Sequence, residues 1–184
     1  MTEAATAVAD GAYDGFEGRV VPEVRLPATT GGELDVVDPA ADWTVLYLYP
    51  RTGVPGEPLP EGWLQIPGAF GCTAQSCGFR DVAEFFADLK ASVRGVSTQD
   101  ADEQRAFAAT QRISYPLLSD SGLRLVEVLG LPTFDGAGEP RIKRATFLVA
   151  ADRTIARVLY PVLDAGANAA DALAALREIT AGSA

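Results

Sequence analysis

Two cysteines, Cys72 and Cys77, stand five positions apart in the stretch GCTAQSC, and the chain contains no histidine. The thiolate is the reactive form of cysteine, so two thiols this close can do nucleophilic or redox chemistry or hold a metal. The missing imidazole removes the Cys-His and Ser-His-Asp hydrolases, which need it as their base. It also removes zinc sites with imidazole ligands, and two cysteines cannot close a four-cysteine site. No loop has calcium-ligand spacing, and neither G-x-G-x-x-G nor a phosphate-loop pattern opens a helix, so neither a metal nor a cofactor is expected. Whatever chemistry the chain does rests on sulfur.

The composition narrows the setting. A chain of 184 residues suits one domain with a single core. With 25 acidic and 15 basic residues the net charge is −10, and no basic cluster offsets it locally. That sign repels a phosphate backbone, so nucleic acid is not an expected partner. No apolar run approaches the roughly 18 residues a membrane span needs. The first residues, MTEAATAVADGAYDG, lack the basic and apolar regions of a secretory signal. The expected location is therefore the cytoplasm, where thiols are kept reduced and a cysteine pair is more often catalytic or metal-bound than structural.

The elements that must position the thiols follow from periodicity. Residues 1–15 are small, acidic and turn-prone, and read as a mobile tail ahead of a single domain at 16–184. Pro22, Pro27 and Gly31-Gly32 punctuate short edge strands. WTVLYLY, 43–49, is continuously apolar and rich in β-formers, the pattern of a strand covered on both faces. The proline-rich segment at about 51–66 reads as a long loop whose end, with Trp63, Leu64 and Ile66, packs. A helical pattern starts at Cys72 and runs to about Lys90, with Phe79, Val82, Phe86 and Leu89 on one face. Strand 93–98, a helix capped by Asp100, strand YPLLSD and helix SGLRLVEVLGL come next. RATFLVA and TIARVLYPV form a hairpin around ADRT, and NAADALAALREIT closes the chain as a helix. This order gives an α/β domain of thioredoxin-like fold, a central mixed sheet flanked by helices.

A thiol at a helix N-terminus faces unpaired backbone N–H groups and the positive end of the dipole, which favour its thiolate without histidine. On a regular helix Cys72 falls about 60° from the middle of the apolar face, and Cys77 about 160° away, toward solvent. Their Cα atoms would be about 8.7 Å apart, whereas a disulfide needs roughly 4.4–6.8 Å. A bridge between them therefore requires the first turns to unwind. Two unrelated buried cysteines are the plainer alternative, since free cysteine commonly packs as a small hydrophobe.

YLYP, GCTAQSCGFRD, VSTQD, YPLLSD and RATFLV, in that order, resemble the peroxiredoxins, and among them the atypical two-cysteine, bacterioferritin-comigratory (Q-type) subgroup. The likeness runs from about Pro22 to the C-terminal helix. It implies a thiol peroxidase that reduces hydrogen peroxide or small organic hydroperoxides. By the resemblance Cys72 is the peroxidatic cysteine, Cys77 resolves its sulfenic acid, and Arg144, in the R-x-x-F context before Phe147, polarises thiolate and peroxide. Pro50, Ala69, Gly71, Thr73 and Gln75 are the neighbouring candidates. Thioredoxin or a similar thiol is the implied reductant, and the implied assembly is a monomer or homodimer.

The chain departs from the family pattern P-x-x-x-T-x-x-C, whose threonine falls on Ala69 and whose proline falls on Gln65. Pro50 is the nearest equivalent proline, separated by roughly fifteen extra residues. Thr52, Gln65, Thr73 or a backbone N–H are the candidate replacements for the lost hydroxyl. Arg80 reads either as a charge near the second cysteine or as a solvated helix residue. Trp43 and Trp63 read as packing residues. Two other functions stay open at this point: a slow redox sensor or interaction protein, motivated by Ala69, and a thiol–disulfide oxidoreductase, which would lack the usual Cys-X-X-Cys.

Overall fold

The computed structural model describes residues 4–54 and 56–182. In chain order the strands are β1 (Arg25–Pro27), β2 (Glu33–Asp35), β3 (Trp43–Leu48), β4 (Ala91–Ser97), β5 (Leu117–Ser119), β6 (Thr133–Asp135), β7 (Pro140–Ile142), β8 (Ala145–Ala150) and β9 (Ile155–Leu159). The helices are α1 (Cys72–Asp81), α2 (Ala83–Asp88), α3 (Ala101–Gln111), α4 (Arg124–Leu129) and α5 (Asn168–Gly182). Strands β5-β4-β3-β8-β9 make a mixed sheet in which β3 pairs parallel to β4 and antiparallel to β8.

The central strand shows why WTVLYLY is apolar throughout. Successive side chains point to opposite faces of a sheet, and here both faces are covered. Val45, Tyr47 and Tyr49 join Phe79, Phe86, Phe107 and Leu173 in one core. Leu46 and Leu48 join Val36, Leu125, Leu129 and Phe147 in the other. The edge strands around Gly31-Gly32, the Asp100 cap, which accepts from Asp102 N at 2.7 Å, and the β8–β9 hairpin all form where the sequence places them.

Three features differ from the sequence reading. The helix expected from Cys72 to Lys90 is interrupted at Val82 (φ −115°, ψ 13°), and α2 starts afresh at Ala83. Phe79 and Phe86 still meet, with ring centroids 6.0 Å apart. Their seven-residue spacing keeps them on one face across the break, which is why periodicity could not reveal it.

The segment read as a mobile tail is docked. Residues 1–3 lie outside the described residues, but Ala5 N donates to Leu64 O at 2.7 Å, Asp10 accepts from Lys143 and Tyr160, and Tyr13 is buried. Tyr13 packs edge-on against Phe147 and Tyr160 and donates to Lys143 O at 2.7 Å. A single aromatic residue among small polar ones supplies the anchor, and composition alone does not show it.

The third difference is the β6–β7 hairpin, an unexpected element whose turn holds Gly138 with φ +84°. It packs against the proline-rich loop: Trp63, buried in the 3₁₀ turn Trp63–Gln65, lies 6.3 Å from the Phe134 ring.

Arg153, in the β8–β9 turn, ties the N-terminal region to the sheet. It donates to Val21 O and Pro22 O, each at 2.7 Å, and grips Asp35 through two bonds of 2.7 and 2.9 Å. Burial works against the Asp35 charge, but Arg153 and the Val37 amide outweigh it and hold the carboxyl below its ordinary value. Arg153→Ala should lower unfolding stability by about 2–3 kcal/mol through loss of these charge-assisted bonds. A carboxyl with a lowered native pKa contributes stability above its unfolded value and loses it as pH falls through the native one. Denaturant titrations should therefore show the gap between wild type and variant shrinking below about pH 4.

Candidate active site

Gly71 starts the site. It precedes α1 with φ +104°, and a Cβ there would lie 2.8 Å from Ala165 Cβ. Only glycine suits both the left-handed conformation and the close approach. Cys72 then takes the first helical position, and its side chain is buried. The leading amides of a helix have no intrahelical acceptor, so the sulfur sits at an end built to stabilise negative charge.

Arg144 precedes β8 and reaches across to the same point. Its Nη2 donates to Cys72 Sγ at 3.1 Å and to Phe70 O at 3.0 Å, and its Nε lies 3.3 Å from Gly68 O. Its Nη1 donates to Gln75 Oε1. The residue is only 4% exposed. Burying a guanidinium is costly unless its donors are met, and here loop carbonyls, an amide oxygen and a sulfur meet them.

Gln75 is held in turn. Its Nε2 donates to Asn168 Oδ1 at 2.8 Å, and Thr146 Oγ1 donates to the same oxygen at 2.7 Å. Asn168 opens α5 and is buried, and the sequence reading did not single it out. A polar residue at the start of an otherwise apolar helix face reads as an ordinary cap, so no sequence signal marked its role. One turn along α1, Ser76 Oγ accepts from Tyr47 OH at 3.0 Å, and Ser76 O accepts from Tyr115 OH at 2.8 Å. Burial pushes both phenols up, so they remain neutral donors. Gly95 makes room for this arrangement, since a Cβ there would lie 2.5 Å from the Tyr47 ring.

Cys77 does not face solvent as the helical angle suggests. It is half-buried, with Sγ 3.5 Å from Gln111 Oε1 and 3.6 Å from Arg80 Nη1. Arg80 also donates to Gln111 O at 2.6 Å and pairs with Asp81. The C-terminal end of α3 covers that side of α1, which no single-helix projection can show. Both thiols are free.

The candidate neighbours separate. Ala69 is buried, and its carbonyl accepts from Cys72 Sγ at 3.5 Å and Arg144 Nη2 at 3.3 Å. Gly71 and Gln75 also belong to the site. Pro50 is buried at the sheet end, where its carbonyl accepts from Ser97 Oγ at 2.9 Å. Thr73 and Gln65 are exposed, and Thr52 donates through both N and Oγ1 to Gln99 Oε1. None of these three side chains takes the place of the missing threonine hydroxyl; Arg144 Nη2 is the donor at the sulfur.

A thioredoxin-like sheet carrying a helix-terminal cysteine against a buried arginine defines a thiol-dependent peroxidase. The chain belongs to the AhpC/TSA family, whose model matches residues 65–158, and within it to the Q-type peroxiredoxins. It is 32% identical to a putative peroxiredoxin of Mycobacterium tuberculosis over 166 residues, 90% of this chain and 98% of the relative. The crystal structure of peroxidoxin BcpB from M. tuberculosis superposes with a TM-score of 0.72 at 33% identity, covering 89% of this chain and 97% of the other. Peroxiredoxin Q of Xanthomonas campestris shares the fold, with a TM-score of 0.66 at 22% identity over 96% of this chain and 99% of that one. The family implies a peroxide substrate and a thiol reductant.

Arg144→Ala should slow oxidation of Cys72 by hydrogen peroxide on the order of 10²-fold, the scale of losing one oriented donor. Arg144→Lys should recover only part of the rate, because a point charge cannot span the sulfur, Gln75 and the loop carbonyls together. Rapid-quench alkylation of the remaining thiol measures both.

Proposed function

We propose that Cys72 is the peroxidatic nucleophile and Cys77 the resolving cysteine of an intramolecular cycle. The observation that carries the proposal is the 3.1 Å contact from Arg144 to Cys72 Sγ at the first turn of α1. The Cys72 thiolate displaces on the distal peroxide oxygen. The O–O bond breaks, an S–O bond forms, and the leaving oxygen takes a proton and departs as water or an alcohol. Arg144 faces the negative charge that moves from sulfur to the leaving oxygen. The Cys77 thiolate then attacks the sulfenic sulfur; the S–O bond breaks, the disulfide forms, and the leaving hydroxyl takes a proton and departs as water.

Resolution requires motion. Two helical positions five apart are about 8.7 Å from each other between Cα atoms, beyond disulfide reach. The start of α1 must unwind in the oxidised form. Both sulfurs lie on one chain, so the cycle is complete in a monomer and equally in a homodimer. Thioredoxin or a similar dithiol, acting in the cytoplasm, restores the reduced pair by thiol–disulfide exchange.

Reduced protein mixed with one equivalent of hydrogen peroxide should lose about 2 Da as the disulfide forms. Cys77→Ser should instead gain about 16 Da, the mass of the trapped sulfenic acid. Cys72→Ser should keep its mass on the same timescale. Unchanged mass in the wild type over minutes would refute the cycle and favour a binding or sensing role on this fold.

A further inference from the structure

The N-terminal segment crosses the front of the site. Ala5 pairs through its N and O with Leu64 O and Gly68 N, at 2.7 and 3.4 Å. Asp10, three residues before the buried Tyr13, is latched by Lys143 and the Tyr160 hydroxyl. The strap rests on Gly68, where a Cβ would already approach Ala7 Cβ to 3.3 Å. Between strap and body lies a cavity of about 250 Å³, lined by Ala7, Val8, Ile66, Phe134 and Tyr160 and also by Asp10, Lys143 and Arg144. Arg144 is the residue whose guanidinium holds the Cys72 sulfur.

We propose that this pocket receives the organic group of a compact, uncharged hydroperoxide, and that Val8 on the strap is a specificity-determining residue. The inference rests on the peroxidase reading above. The walls are mostly apolar, with Asp10, Lys143 and Arg144 as the charged exceptions, so an alkyl or aryl group gains by burial. Sites for drug-sized ligands run to roughly 300–1,000 Å³, so a smaller cavity selects a compact group. The two cations near it are engaged: Lys143 by Asp10, and Arg144 by Gly68, Phe70, Gln75 and the sulfur. A carboxylate-bearing hydroperoxide therefore finds no unpaired cation to draw it in.

Val8 is 57% exposed, so changing it leaves the fold intact. With dithiothreitol as reductant, Val8→Glu should lower kcat/KM for cumene hydroperoxide about tenfold while the hydrogen peroxide value stays within about twofold. Val8→Leu should preserve the wild-type ratio. An unchanged ratio in Val8→Glu, or an equal fall with both peroxides, would overturn the pocket. Wild-type protein inert toward both would instead overturn the peroxidase reading itself.

A separate observation concerns Gln75, which lies between the two cysteines. Unwinding residues 72–77 must carry it away from both Arg144 and Asn168, breaking buried hydrogen bonds on each side. We infer that Asn168 is a positioning residue that restrains this unwinding, and so sets how long the Cys72 sulfenic acid waits for Cys77. That interval decides between two fates. Attack by the Cys77 thiol yields disulfide and water; attack on a second hydroperoxide yields sulfinic acid and an alcohol or water. Without Asn168, the buried Gln75 Nε2 donor loses its partner, and only the Oε1 bond from Arg144 still holds the side chain in the core.

Asn168→Ala should form the disulfide about tenfold faster after a peroxide pulse, the scale of one buried hydrogen bond. It should also accumulate less of the species heavier by about 32 Da under excess peroxide with reductant. Asn168→Asp, which keeps the accepting oxygen, should behave as wild type. A disulfide rate in Asn168→Ala equal to or slower than wild type would overturn the restraint. Absence of any disulfide in wild type would count against Cys77 as the resolving residue.

Discussion

A buried guanidinium held against a buried sulfur sets the requirements that the surrounding structure meets. Charge taken out of water must be surrounded by acceptors, or its desolvation exceeds what its contacts return. Arg144 meets this with the carbonyls of Gly68, Ala69 and Phe70, with Gln75, and with Cys72. Those acceptors come from the loop and first turn that present the nucleophile, so placing the arginine and shaping the loop are one problem. Gly71 turns the chain into α1, and the β3–β8 pairing brings residue 144 opposite it.

The helix that carries the cysteines is held more firmly than its length requires. Phe79 stacks on Tyr47 with centroids 4.5 Å apart, and Ser76 and Gln75 are each tied to residues outside the helix. The break at Val82 separates this segment from α2, so α1 can change conformation while Phe86 stays in the core. Low-stability elements are where functional motion is found. Over residues 72–77 the restraint includes specific polar contacts, from Gln75 to Asn168 and from Ser76 to Tyr47 and Tyr115, while Phe79 packs on Tyr47.

The proline-rich loop and the N-terminal segment together form the outer wall. Proline removes donors and fixes φ, so Pro58 and Pro60 have no N–H to give to a ladder. Trp63 gives the loop an anchor on the β6–β7 hairpin, and Ala5 pairs with its far end. Among the described residues, neither segment contributes to the central sheet. Both bear on what reaches Arg144.

The sequence alone determined the chemistry and the order of the elements. An absent histidine and a Cys-x4-Cys spacing confined the reaction to sulfur, and apolar runs and helical periods located the central strand, the flanking helices and the last hairpin, because burial on known faces leaves a local pattern. Motif order picks out Cys72, Gln75 and Arg144, and the structure brings the three together. What only the tertiary structure decided lies in contacts between residues far apart in the chain: Asn168 behind Gln75, α3 over Cys77, Trp63 on Phe134, and Tyr13 pinning what reads as a tail. The fate of the missing threonine belongs there too, since Thr52 is drawn away by Gln99, forty-seven residues on. Side-chain partners across such separations follow from how the layers close on one another, and no period or spacing in a single chain encodes them.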